Sequence, residues 1–178
     1  MKEKLKELKE IEREINEKIS EELRTEITTR MVSRIISIIS KYLIRTMGYS
    51  AATTILQREF RNMGKESAKE FINLFNLKRK NHKDAWNDNA VASRALKIAA
   101  LFLGLKLDGL GNETIVKNCP QGMQAIKLRE PLLCNICLEY NNGVLLEMLG
   151  EDYVLERIKW IFSNDEYCMF RIKEKNHF

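Results

Sequence analysis

The sequence predicts an α+β protein: a helical N-terminal half, led by a long helix, packed with a small antiparallel sheet. Three observations carry this. Apolar residues recur at spacings of three and four through the first hundred positions. Both prolines, Pro120 and Pro131, and six of the eight glycines lie beyond residue 103, so the first half has little to interrupt helices. Near the C-terminus the period falls to two on either side of Ser163-Asn164-Asp165-Glu166, a hairpin turn by composition.

The chain has 178 residues, 44% of them hydrophobic, enough for one domain with a real core plus a helical extension. Leu5, Leu8, Ile11, Ile15, Ile19, Leu23 and Ile27 form one narrow stripe among Glu, Lys and Arg. Such a stripe suits a helix–helix seam, within the chain or with a second copy. From Met31 to Met47 the pattern turns more apolar (Val32, Ile35, Ile36, Ile38, Ile39, Leu43, Ile44), which predicts burial. Gly48 reads as a helix stop. Residues 1–47 are thus expected to be a long helix for packing or oligomerisation, and 48–178 the α+β domain.

Within that domain the pattern predicts a helix from Ser50 to Met63 stopped by Gly64, a second from Ser67 to Leu77, and a third from Asp84 to Leu103. After the glycine-rich break at 104–111, Thr114-Ile115-Val116 and Gln124 to Leu128 read as strands. Pro131 opens a helix over Leu132 to Leu149. Val154 to Phe162 and Tyr167 to Lys173 read as the two arms of the hairpin.

The formal charge of +5 is spread among interspersed acids and bases, which predicts a solvated surface and no nucleic-acid partner. The densest basic run, Lys78-Arg79-Lys80 with His82 and Lys83, reads as a loop. The N-terminus lacks the apolar region of a secretion signal, and no apolar stretch reaches the ~20 residues needed to span a bilayer, so a cytoplasmic protein with no membrane partner is expected.

All four cysteines, Cys119, Cys134, Cys137 and Cys168, fall in the C-terminal third. Four thiols are the number a closed tetrahedral zinc site uses, and a helix N-terminus at Cys134-Asn-Ile-Cys137 would favour thiolates there. The spacing holds one C-x-x-C, where a zinc ribbon has two. Buried core thiols and a thioredoxin-like redox pair are the other readings of these residues. Catalysis has less to rest on. His82 and His177 are the two histidines, and Gly109-Leu-Gly111 lacks the third glycine of a nucleotide loop.

The stretches Asn118-Cys119-Pro120, Arg129-Glu130-Pro131-Leu132-Leu133-Cys134-Asn135-Ile136-Cys137 and Asn164-Asp165-Glu166-Tyr167-Cys168-Met169-Phe170-Arg171-Ile172 resemble the 4-vinyl-reductase-like domain family in an archaeal form. The ending is the most diagnostic part, since the family's hairpin typically reads Gly-Asp-x-x-Cys-x-Phe. The similarity covers about residues 50–175 and is strong only after 115. It implies a ligand-binding fold shared distantly with nitric-oxide-sensing haem domains and Golgi-tethering subunits. Members serve as small-molecule sensors, including aromatic-hydrocarbon sensors of transcription factors, and in bacteriochlorophyll synthesis; they are often dimeric.

The resemblance also implies zinc held near the pocket by cysteines and a glutamate. Cys134 and Cys168 match the first and last ligands. The family's Glu-x-x-Cys is not matched: Glu156 stands nearby, as a reserve ligand, and Trp160 falls where the cysteine would be, so Cys119 and Cys137 would have to substitute. The function expected is a non-catalytic binding or sensor domain for a small apolar or aromatic molecule, with structural zinc. Phe71, Phe75, Trp86, Phe102 and Trp160 are the candidate pocket residues, each equally readable as core. A tethering homodimer module joined through the N-terminal helix is the second expectation, and a reductase-related enzyme the third.

Overall fold

The fold is taken from a computed structural model that describes Glu10, Arg13, Glu17, Arg94 and residues 20–77, 96–100, 106–108, 113–117 and 119–175. Most of the early Leu/Ile stripe, the 78–83 basic run, Trp86, Phe102 and His177 lie outside these residues.

Helix α1 runs Glu21–Met47, capped by the Ser20 hydroxyl, which accepts from the Leu23 amide at 3.2 Å. Gly48, at φ +82°, turns the chain into α2, Tyr49–Phe75. Residues 96–100 are helical. Strands β1 (Lys106–Asp108) and β2 (Glu113–Lys117) follow, then α3 (Pro120–Leu128), α4 (Leu132–Leu149), β3 (Tyr153–Lys159), a 3₁₀ turn (Ile161–Ser163) and β4 (Cys168–Glu174). The four strands form one antiparallel sheet in the order β1-β2-β4-β3. The architecture is α+β, as the sequence predicts.

Helix α4 is the centre of the molecule. Leu132, Leu133, Ile136, Tyr140, Val144, Leu145, Met148 and Leu149 are buried around its whole circumference, which marks a helix with neighbours on every side. α2 packs along one face and β3 against the other. The α2 contact is unusually close because Gly64 meets Gly143. A Cβ at Gly64 would lie 1.9 Å from the Tyr140 carbonyl oxygen, and one at Gly143 would lie 2.0 Å from that of Arg61. Here the structure corrects the sequence reading: Gly64 does not end a helix but sits buried inside α2, where its missing side chain lets two helix backbones touch.

Three further expectations fail. Gln124 to Leu128 is not a strand but the second half of α3. That helix starts with Pro120 in its first turn, where a missing N–H costs nothing, and the Cys119 sulfur accepts from the Gly122 amide at 3.3 Å as its cap. Met31 to Met47 is not a buried helix throughout. Ser33, Ser37 and Ser40 face inward, while Met31, Ile35, Ile38 and Tyr42 are exposed, Ile38 to 68%. Serines are small enough to bring α1 close to its neighbours; Ile36, Leu43 and Ile44 pack partly against the core, and the stripe of Met31, Ile35, Ile38 and Tyr42 is left outside. The first hairpin arm also stops at Lys159, earlier than Phe162, because residues 161–163 wind into the 3₁₀ turn. No described helix is long and apolar enough to cross a membrane.

Candidate functional site

A cavity opens between α4 and the sheet, floored by the start of α3. Its volume is about 50 Å³ measured at the centres of water molecules, room for roughly three to five of them. Its position follows from two periodicities. On α4, Cys134, Cys137 and Asn141 fall at i, i+3 and i+7, one face of the helix, and all three line the cavity. On the strands, alternate residues point inward: Thr114 and Val116 from β2, Leu155 and Arg157 from β3, Cys168 and Phe170 from β4. The register sets Val116 opposite Cys168 and Arg157 opposite Phe170. Leu96, Ala100, Cys119, Gln121, Gly122 and Trp160 also line the cavity.

All four cysteines therefore meet at one cavity, although 49 residues separate the first from the last. None forms a disulfide. Each sulfur has a nearby N–H. Besides the Gly122 contact, the Ile161 amide donates to Cys168 Sγ at 3.5 Å, and Asn141 Nδ2 lies 3.8 Å from Cys137 Sγ. The Trp160 indole N–H is directed at the Cys134 sulfur and pulls its pKa down, without reaching full hydrogen-bond geometry. Burial outweighs these contacts and raises all four thiols, Cys119 to about 11 and Cys137 further, because the charged form would lose its water. Neighbouring thiols add to the rise, and Arg157 opposes it at Cys134, Cys137 and Cys168.

The sulfurs ring the cavity without converging: among the described residues no three His, Cys, Asp or Glu side chains are grouped to hold a metal ion. Glu156, the reserve ligand, is turned to the opposite face of the sheet, where it lies 3.5 Å from Lys173 Nζ. Alternation along β3 requires this, since Leu155 and Arg157 face inward.

Of the five aromatic candidates, Trp160 lies in the wall. Phe71 is packed in the α2–α4 core and Phe75 is 40% exposed near the end of α2; neither lines the cavity. Trp86 and Phe102 are outside the described residues. Sequence reasoning passed over Arg157, Gln121 and Asn141. Arg157 carried a readable signal: it shares the inward phase of β3 with Leu155, and a charge on a buried face needs a reason.

The guanidinium of Arg157 stacks 4.4 Å over the Trp160 ring. Its Nη1 donates to Asn135 Oδ1 at 3.2 Å and its Nη2 to the Cys134 carbonyl at 2.9 Å. The Trp160 backbone is itself pinned, its amide donating to Asp165 Oδ2 at 2.7 Å. The site is thus an apolar chamber with a fixed cation and four protonated thiols in its wall.

No protein-family model and no curated protein sequence matches the chain. Solved structures do. The phenol-responsive sensory domain of the transcription activator PoxR, crystallised with phenol, superposes with a TM-score of 0.57 at 13% identity, over 82% of this chain and 74% of that one. A trafficking protein particle complex subunit 3 from Naegleria fowleri, covalently bound to palmitic acid, gives 0.55 at 18% identity, over 86% and 98%. At these identities the likeness is one of fold, and the fold is that of a phenol-sensing domain and of a trafficking-complex subunit.

Proposed function

We propose that the protein is a non-catalytic binding domain of the 4-vinyl-reductase-like type, in its archaeal form, that takes a small apolar or aromatic molecule into the chamber between α4 and the sheet. The observation that carries this is the chamber itself: Leu96, Ala100, Val116, Leu155, Phe170 and Trp160 give it apolar walls, with few polar groups among them. The fold shared with a phenol-responsive domain supports the same reading. Its volume, about 50 Å³, leaves no room for a long chain. Calorimetric titration with toluene tests it: saturable binding near one per chain is expected, and a chain that takes up no toluene or other monocyclic arene overturns it.

Structural zinc on Cys119, Cys134, Cys137 and Cys168 belongs to the same proposal. Four thiols at one cavity support it, and their spread-out placement weighs against it. Elemental analysis of the purified protein beside a thiol count decides: about one zinc per chain sustains the metal, whereas none with four titratable thiols removes it and leaves the binding reading in place.

The exposed apolar face of α1 favours a second reading alongside the first, a homodimer. Met31, Ile35, Ile38 and Tyr42 make a contiguous stripe of the kind that marks an interface. Light scattering is expected to show a dimer that Ile38→Glu converts to monomer. A monomeric unsubstituted chain would remove this reading.

A further inference from the structure

The chamber's polar wall is one-sided. Among the described residues, five buried side-chain polar atoms lack a hydrogen-bond partner: the hydroxyls of Ser40 and Thr53 on α1 and α2, and three nitrogens, Gln121 Nε2, Arg157 Nε and Trp160 Nε1. All three of those residues line the chamber. The three nitrogens are donors. Buried donors without acceptors are rare because each forfeits its hydration; with the Trp160 N–H facing the Cys134 sulfur, Gln121 Nε2 and Arg157 Nε beside one space point to a missing acceptor.

Charge narrows what the acceptor is. The two polar partners of the Arg157 guanidinium, the Asn135 amide oxygen and the Cys134 carbonyl, are both neutral. Among the described residues that line the chamber there is no aspartate or glutamate. Arg157 is positioned from three sides by those two bonds and the Trp160 ring, and keeps Nε in reserve. A half-buried cation held this way, with its Nε out of water, is completed by an anion. A carboxylate offers two oxygens, enough to accept from Nε and from the Gln121 amide together. The apolar side of the chamber, Val116, Leu155 and Phe170, then takes the hydrocarbon part.

We propose that the chamber's ligand is a small aromatic or compact aliphatic carboxylate, its carboxyl group received by Arg157 and Gln121 and its hydrocarbon body by the wall of β2, β3 and β4. This deepens the binding-domain reading and rests on it: Arg157 and Gln121 set which small apolar molecule is retained. Trp160 holds the guanidinium in place through its ring.

Benzoate and toluene, which share a ring and differ in the carboxylate, separate the two claims when titrated into the full chain by calorimetry. Benzoate is expected to bind at least tenfold more tightly than toluene. Arg157→Gln and, independently, Gln121→Leu should collapse that ratio towards one. Gln121 is half-buried in the first turn of α3 and carries no charge, so its replacement keeps the test valid if Arg157→Gln does not fold. Toluene binding as well as or better than benzoate overturns the carboxylate inference and leaves an apolar site. A benzoate preference that survives in folded Arg157→Gln and Gln121→Leu also overturns it, since the anion would then sit elsewhere. Binding of neither probe removes the binding-domain reading itself, and the inference with it.

Discussion

Gly64→Ala is expected to destabilise the protein by about 3 kcal/mol or more, at the upper end of what overpacking costs. The added methyl carbon would fall 1.9 Å from the Tyr140 carbonyl oxygen and 3.1 Å from the Gly143 Cα. Both are backbone atoms of the central helix, so no side chain can rotate away. Relief requires α2 and α4 to separate, which opens the core of Ala68, Phe71, Tyr140, Val144 and Leu145 between them. For a chain of this size the loss corresponds to a fall in Tm of roughly 6–12 °C. Thermal and urea unfolding followed by circular dichroism check it, and a variant with an unchanged midpoint would show that the helices do not touch at this pair. Displacing α4 also moves Cys134, Cys137 and Asn141, so the chamber should lose its shape along with the stability.

The second large effect is alkaline. In protein freed of metal by a chelator and kept reduced, stability should fall steeply between about pH 9 and pH 11. The sign follows from the thiols. Burial raises Cys119 from 9.0 to about 11, with smaller contributions from Cys168 and Cys134 and opposition from the Gly122 and Gln121 amides. Below pH 9 folded and unfolded chains both carry the proton, and the stability is fully present. Between the two values the unfolded chain ionises and the folded one does not, so stability is lost as pH rises through that window. Two units correspond to about 2–3 kcal/mol from Cys119 alone. Burial raises Cys134, Cys137 and Cys168 as well, in the same direction. Urea midpoints measured from pH 8 to 11 give the slope, and Cys119→Ser, whose hydroxyl can still cap α3, should make it shallower. A flat profile in metal-free protein would mean that the thiols are not enclosed. Bound zinc would also flatten it, since metal-held sulfur is already deprotonated, so the comparison with and without chelator bears on the cysteine cluster directly.

Local pattern was enough for the elements whose signals lie within one turn or one strand. Leu132 to Leu149 declares itself by continuous apolar content after Pro131, and β4 by alternation through Cys168, Phe170 and Ile172. It was not enough at Gly64, because a glycine that permits a helix crossing and one that ends a helix are the same residue until the partner helix is known. Nor was it enough for α3, where a β-like composition at Gln124 to Leu128 was overruled by Pro120 and the Cys119 cap upstream. The aromatic candidates were chosen by residue type, whereas membership in the chamber wall depends on phase: Trp160 falls in it, and Phe71, equally apolar, faces the other side of the same core.

By itself, then, the sequence determined an α+β chain with a long leading helix and four thiols in its last third, because helix and strand periods and residue counts are local properties. Only the tertiary structure decided that Cys119, Cys134, Cys137 and Cys168 surround one cavity without converging on a point, that Glu156 faces away from them, and that Arg157 stands among them with a donor unspent. Those are matters of which face of α4 meets which face of the sheet. That choice is made by the close approach of α2 at Gly64 and Gly143 and by the register of β3 on β4, contacts between residues up to about eighty positions apart.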